Sequence, residues 1–256
     1  MEIPHNKFKT LLVQGRQQIG LWCTLSDPYV CELMAGSRFD WLLIDTEHAP
    51  ADVESVLAQL QAISAYDVAP IVRPATNSTV LIKRYLDIGV QTLLIPYVQS
   101  AQEAAQAVAA MRYAPEGVRG VSTITRATKF GRIKNYMQRA VEQLCLLVQI
   151  ESVAGLDALE EIAAVEGVDG IFIGPADLAA SLGHPGNTDH PDVKAAVEKA
   201  IKRIVACGKP AGVLTLDTAY ARRLIACGTT FTSVGLDATL LVRATETLAQ
   251  EFRQSP

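Results

Sequence analysis

The 256-residue chain has no cysteine pair at CxxC spacing, no tract of Lys and Arg, no GxGxxG turn, and no apolar run near the roughly 20 residues a membrane span needs. Each absence removes a class. Five scattered cysteines (Cys23, Cys31, Cys145, Cys207, Cys227) read as reduced thiols used as small core residues, not as a disulfide frame or a zinc site. With 23 basic against 27 acidic residues, a net charge of −4 and no basic tract, nothing is suited to follow a phosphate backbone, so nucleic acid is not an expected partner. The missing GxGxxG, where LWCTLSDPY follows the first strand candidate, argues against an open dinucleotide-binding sheet. The amino terminus, MEIPHNKFKTLLVQGR, is polar and lacks a signal segment; with no membrane span, the expected compartment is the cytoplasm.

Hydrophobic residues make up 49% and charged residues 20%, enough apolar material for one large core. No Pro, Gly or Ser linker divides the chain, so residues 1–256 are expected to form a single domain. Eight short runs rich in Ile, Leu, Val and Phe (18–25, 39–47, 69–74, 91–98, 144–152, 168–178, 209–216 and 231–237) alternate with amphipathic segments such as ADVESVLAQLQAIS and DVKAAVEKAIKRIVACG. Near-continuous apolar strands suit a sheet buried on both faces. Alternating β and α with eight strands predicts an α/β fold, the (β/α)8 TIM barrel. The long irregular stretch 113–135 is expected to be a functional loop.

In such a barrel active sites gather at the carboxyl ends of the strands, so strand endings are informative. The second strand ends in Asp45, Glu47 and His48, the third in Arg73, the fifth in Gln149 and Glu151, and the sixth in Asp177. Gln149 and Glu151 share a face, and neighbouring strands lie about 5 Å apart, so Glu151 and Asp177 can converge. Two converging carboxylates repel unless a cation lies between them, and an all-oxygen set suits a hard ion, Mg2+ or Mn2+. The alternative is that either acid caps the helix that follows. The glycine of GPADL lets the backbone approach a ligand, and N–H groups after that turn can grip a carboxylate. Arg73 at a buried strand end asks for an anion or for an ion-pair partner. Asp87 sits in the last turn of a predicted helix before Gly89, facing the negative end of the helix dipole; an oriented, basic His48 would offset that cost.

The runs DWLLIDTEHAP, IVRP, LLIPYVQS, YAPEGVRGVS, LVQIES and EGVDGIFIGPADL, in this order, closely resemble the HpcH/HpaI family of class II pyruvate-dependent aldolases, from about Phe8 to Phe252. The resemblance implies a TIM barrel that binds a divalent metal, Mg2+ or Mn2+ with Co2+ a further candidate, uses no organic cofactor, and reversibly cleaves 4-hydroxy-2-oxo acids to pyruvate and an aldehyde. It implies Glu151 and Asp177 as metal ligands, His48 as catalytic base with Asp87 as its partner, Arg73 as transition-state stabiliser, and Gln149, Ala176 and Asp177 as substrate contacts. Asp45 and Glu47 are expected to hold metal-bound water or groups beside the ion. It further implies a homohexamer, a trimer of dimers that exchange their last helix. Two departures stand out: Thr46, which puts bulk and a hydroxyl beside the site where the familiar form has glycine, and the loop STITRATKFG; Arg119, just before that run, or Arg126 within it would be a free surface cation able to pair an acidic aldehyde. A CoA-thioester lyase of the citryl- or malyl-CoA type and a non-catalytic carboxylate-binding barrel are the alternatives. A class I aldolase is disfavoured, because Lys83 lies within a predicted helix.

Overall fold

A computed structural model describes residues 1–253. Eight parallel strands, β1 (Gln18–Cys23), β2 (Trp41–Asp45), β3 (Ala69–Arg73), β4 (Thr92–Ile95), β5 (Cys145–Ile150), β6 (Gly170–Ile173), β7 (Ala211–Leu214) and β8 (Thr229–Leu236), close into a barrel in chain order. All eight expected strands form, each within two residues of its expected start. The sixth stops early because Pro175 opens a helix at once.

The helices are α1 (Lys7–Val13), α2 (Pro28–Ala35), α3 (Val53–Ala62), α4 (Thr79–Asp87), α5 (Ala101–Met111), α6 (Tyr136–Arg139), α7 (Val153–Asp157), α8 (Leu159–Ala164), α9 (Pro175–Ser181), α10 (Pro191–Ala206), α11 (Thr218–Ala226) and α12 (Asp237–Arg253). Local chemistry places their starts: Asp27, Asp52, Ser78, Ser100, Ser152 and Asp217 each accept a backbone N–H of the first turn. Helices lead back to the next strand's start, so strand ends and helix starts share one face of the barrel, and helix ends share the other with strand starts.

That second face is closed. Phe8 of α1 meets Trp41 (6.3 Å between centroids) and Phe231 (5.9 Å) edge-on, and Trp22 and Phe172 lie 5.5 Å apart with their rings tilted by 43°. Gly20 and Gly212 make room, because a Cβ at either would overlap the Trp41 or Phe231 ring. Asn6 fixes the plug, donating to Thr92 Oγ1 (3.0 Å) and the Gln143 carbonyl (2.9 Å). Cys23, Cys31 and Cys145 are buried as expected, whereas Cys207 is exposed just past α10, where the helix has left the core. No helix among the described residues is long and apolar enough to cross a membrane.

Candidate active site

Four strand ends bring charge to the open face. The last rung of the β2–β3 ladder pairs Asp45 with Arg73. Arg73 is 5% exposed. Its Nε and Nη2 donate to the two Asp45 oxygens at 2.9 and 2.6 Å, and its Nη1 lies 2.9 Å from Glu47 Oε2. The guanidinium carbon sits 4.9 Å from the centre of the Trp22 ring, whose Nε1 also donates to Asp45 (3.3 Å). The ion-pair alternative for Arg73 is therefore realised, with two acids. Burial pushes the Asp45 carboxyl up, but Arg73 outweighs it and holds the group below its ordinary value. Glu47 is raised instead: burial comes first, Arg73 and His48 oppose it, and Asp45 and Asp177 reinforce it. Glu47 Oε2 has an ion pair but no properly directed donor.

Across the mouth, β5 and β6 are paired through Ile150 and Ile173, which sets Glu151 against Gly174. Glu151 is 2% exposed. Its Oε1 accepts the Tyr97 N–H (2.8 Å) and its Oε2 accepts from Gln149 Nε2. Tyr97 has φ +55°, a left-handed conformation that turns its amide toward the carboxylate. Burial above all, with the charges of Glu47 and Asp177, pushes Glu151 up to about 7. A Cβ at Gly174 would overlap Glu151 Oε2, so the glycine of GPADL is there for the glutamate as much as for a ligand. Neither acid caps a helix: Ser152 performs that role for α7, and α9 has no side-chain cap. Asp177 stands in the first turn of α9, exposed beside the exposed Ala176.

The donor set is thus Asp45, Glu47, Glu151 and Asp177 against a single guanidinium, with Gln149 Oε1 buried and unpartnered. Such a surplus of oxygen ligands fits a hard divalent cation. A different cluster, His184, His190 and Asp192, also brings ligand-type atoms together. Its two rings stack 3.5 Å apart at 16°, and His190 Nδ1 already accepts the Asp192 N–H, so the imidazole lone pairs do not converge on one point.

His48 lies at the mouth with its side chain 61% exposed, 3.9 Å from Glu47. The expected partner is elsewhere. Asp87 ends α4 on the closed face, where its Oδ1 accepts from Arg119 Nη2 (2.9 Å), and no hydrogen bond or ion pair joins it to His48. The dipole cost noted in the sequence is offset by that arginine, not by a histidine.

The stretch 113–135 connects the end of α5 to the region before β5, so it too belongs to the closed face of its own barrel. Arg119 is 2% exposed there and stacks on Tyr113 (4.5 Å), while Arg126 donates to the Ile88 carbonyl at the end of α4 (2.7 Å). Neither is the free surface cation expected. Thr46 is also placed differently: its hydroxyl faces away from the acid cluster, toward Arg73's carbonyl and Tyr85. Sequence reasoning missed Trp22, Tyr85 and the Tyr97 amide, because a stacking ring, a helix residue facing a strand and a positive φ leave no motif.

A family model described as HpcH/HpaI aldolase/citrate lyase matches residues 18–244. The chain is 60% identical to a pyruvate aldolase of Rhizobium etli over 98% of this chain and 99% of that protein. It is 58% identical to a hydroxypyruvate/pyruvate aldolase of Deinococcus radiodurans, over 97% and 90%. A crystal structure of a protein from Burkholderia cenocepacia J2315, assigned to the same family, superimposes with a TM-score of 0.93 at 40% identity, covering 97% of this chain and 100% of that one.

Proposed function

We infer the function from one premise: the chain belongs to the HpcH/HpaI aldolase/citrate lyase family. It is a carbon–carbon lyase, a class II pyruvate aldolase, that reversibly cleaves 4-hydroxy-2-oxo acids to pyruvate and an aldehyde. The observation that carries the site assignment is the buried Glu151, pushed to about 7 among further carboxylates with an unpartnered Gln149 oxygen beside it. That arrangement is unfavourable until a cation enters.

Glu151 and Asp177 would hold the ion, with Mg2+, Mn2+ or Co2+ the candidates. Bound there, it supplies Lewis-acid polarisation of the 2-oxo group. Arg73 provides the second positive group. Two of its five N–H donors are taken by Asp45 and Nη1 lies beside Glu47 without an N–H aimed at it, which leaves donors for an oxygen that gains charge as the C3–C4 bond breaks. Gln149 Oε1 and the N–H groups at Ala176 and Asp177 supply substrate contacts. His48, exposed at the mouth, takes the proton from the C4 hydroxyl in the cleavage direction. Asp45 and Glu47 keep the guanidinium aimed. Asp87 can serve His48 only from a neighbouring copy, because its own chain holds it at the other end of the barrel.

A homohexamer with exchanged last helices agrees with the exposed apolar side chains of α12, Leu241, Leu248 and Phe252 among them. The unpaired thiols accord with the cytoplasm.

The test is a panel of aldehydes with pyruvate and each metal, with pyruvate C3 proton exchange followed in parallel and His48→Ala and Asp177→Ala as controls. Absence of exchange with all three metals would overturn the reading. Equilibrium sedimentation tests the assembly.

A further inference from the structure

Thr46 lies between the two acids that hold Arg73, yet its side chain turns the other way. Its N–H and its hydroxyl both donate to the Arg73 carbonyl, at 3.0 and 2.7 Å. A hydroxyl has one proton, so with that proton committed, Thr46 Oγ1 can only accept from Tyr85. The Tyr85 hydroxyl donates to it at 3.0 Å. Both residues are buried, Thr46 at 6% and Tyr85 at 2% exposed, and Tyr85 lies among the apolar side chains between sheet and helices. The result is a directed chain, Tyr85 O–H to Thr46 Oγ1, Thr46 O–H to Arg73 C=O, one residue beyond the final ladder rung of β2 and β3.

We propose that Thr46 and Tyr85 are positioning residues that fix the Arg73 backbone, and through it the direction in which the guanidinium faces the substrate. Glycine at position 46 would supply the N–H alone. The β-branched threonine adds a second donor in a restricted rotamer, and α4, through Tyr85, braces it. Asp45 and Glu47 orient the far end of Arg73, while the clip orients its near end, so the side chain is held at both ends. In a site where misplacement by about 1 Å costs on the order of 100-fold, a backbone freed at the strand end has a measurable consequence.

This inference rests on the role given to Arg73 above, and the experiment separates the two. Thr46→Val, Thr46→Ser, Tyr85→Phe, Arg73→Lys and the Thr46→Val/Arg73→Lys pair are compared by kcat and KM for metal-dependent cleavage, with melting curves to confirm folding. Thr46→Val is expected to lower kcat roughly tenfold, Thr46→Ser to recover most of that loss, and Tyr85→Phe to fall between them. In the Arg73→Lys background Thr46→Val should cost less than about twofold, since a residue acting through Arg73 has nothing left to position. Equal losses in both backgrounds, or a lowered melting temperature with unchanged kcat, overturn the proposal. If Arg73→Lys itself keeps the full rate, the role of Arg73 fails first and the clip with it. Should Thr46→Val not fold, Tyr85→Phe, which deletes one oxygen, carries the same comparison.

Discussion

At one end of the barrel Phe8, Trp41 and Phe231 close the interior ring against ring; at the other, Asp45 and Glu47 hold Arg73, with Glu151 and Asp177 adding charge beside them. The same eight strands run from one end to the other, so the contrast is not one of architecture. It lies in what each end requires from its surroundings. The aromatic end is satisfied by the chain itself, down to the two glycines that make room for its rings. The charged end is not: burial and the neighbouring carboxylates push Glu151 up to about 7, and Gln149 keeps a bare buried oxygen. The closed end supplies stability, and the open end gives some of it up for a ligand.

The sharpest break in that contrast should come from Glu151→Gln or Asp177→Asn. Metal-dependent cleavage is expected to fall by about 1,000-fold or more, because the Lewis acid is worth several kcal/mol to the transition state. Melting of the metal-free protein should stay level or rise, since one repelling carboxylate is gone. A large loss of melting temperature would mean that these acids are structural. Phe8→Ala should do the opposite, costing about 3–5 kcal/mol in denaturant unfolding and leaving kcat per folded molecule within about twofold. A comparable loss of kcat would show that the two ends are mechanically coupled.

A pH titration sharpens the comparison by a smaller amount. Glu151 stands at about 7 when folded against 4.5 as an ordinary carboxyl. Between those values the folded state binds the extra proton, so this group's contribution is most favourable below 4.5 and declines as pH rises through about 7. The slope is at most about 1.4 kcal/mol per pH unit. Stability curves of metal-free wild type minus Glu151→Gln should therefore slope downward over that window and be flat above it. Excess Mn2+ at pH 8 should restore about 2.7 kcal/mol at 100 times its dissociation constant. A flat difference curve would mean that Glu151 is ionised and paired without a metal.

How much of this was legible in the sequence follows from the range of each interaction. Strand order and the face carrying His48, Arg73, Glu151 and Asp177 could be read because periodicity and strand endings are local, and family motifs mark the same residues. Within one chain Asp87 lies far from His48, because the end of a helix and the end of a strand fall on opposite faces of the barrel. Its partner within the chain, Arg119, is 32 residues away, in a loop without regular pattern. Thr46 was noticed as unusual, but its direction depended on the alternation that sends Asp45 inward, and on a tyrosine 39 residues later. Tyr97's amide was invisible, since nothing in IPYVQS announces a positive φ.

The smallest expected effect concerns Arg126, the residue that most directly tests whether the two ends stay separate. Its Nη1 donates to the Ile88 carbonyl at 2.7 Å, filling an acceptor that the end of α4 leaves open. Arg126→Ala should cost about 1.5–3 kcal/mol of stability, the range for a hydrogen bond that involves a charged group. KM for an aldehyde bearing a carboxylate, such as glyoxylate, should remain within about twofold, because a side chain bound to a helix end has no donor group aimed at a substrate. The informative alternative is selective. If KM for glyoxylate rises about tenfold while that for a neutral aldehyde does not, the cation of one chain's closed end is reaching the open end of another. The division between a self-sufficient face and a ligand-dependent face would then hold for the single chain and fail for the assembly.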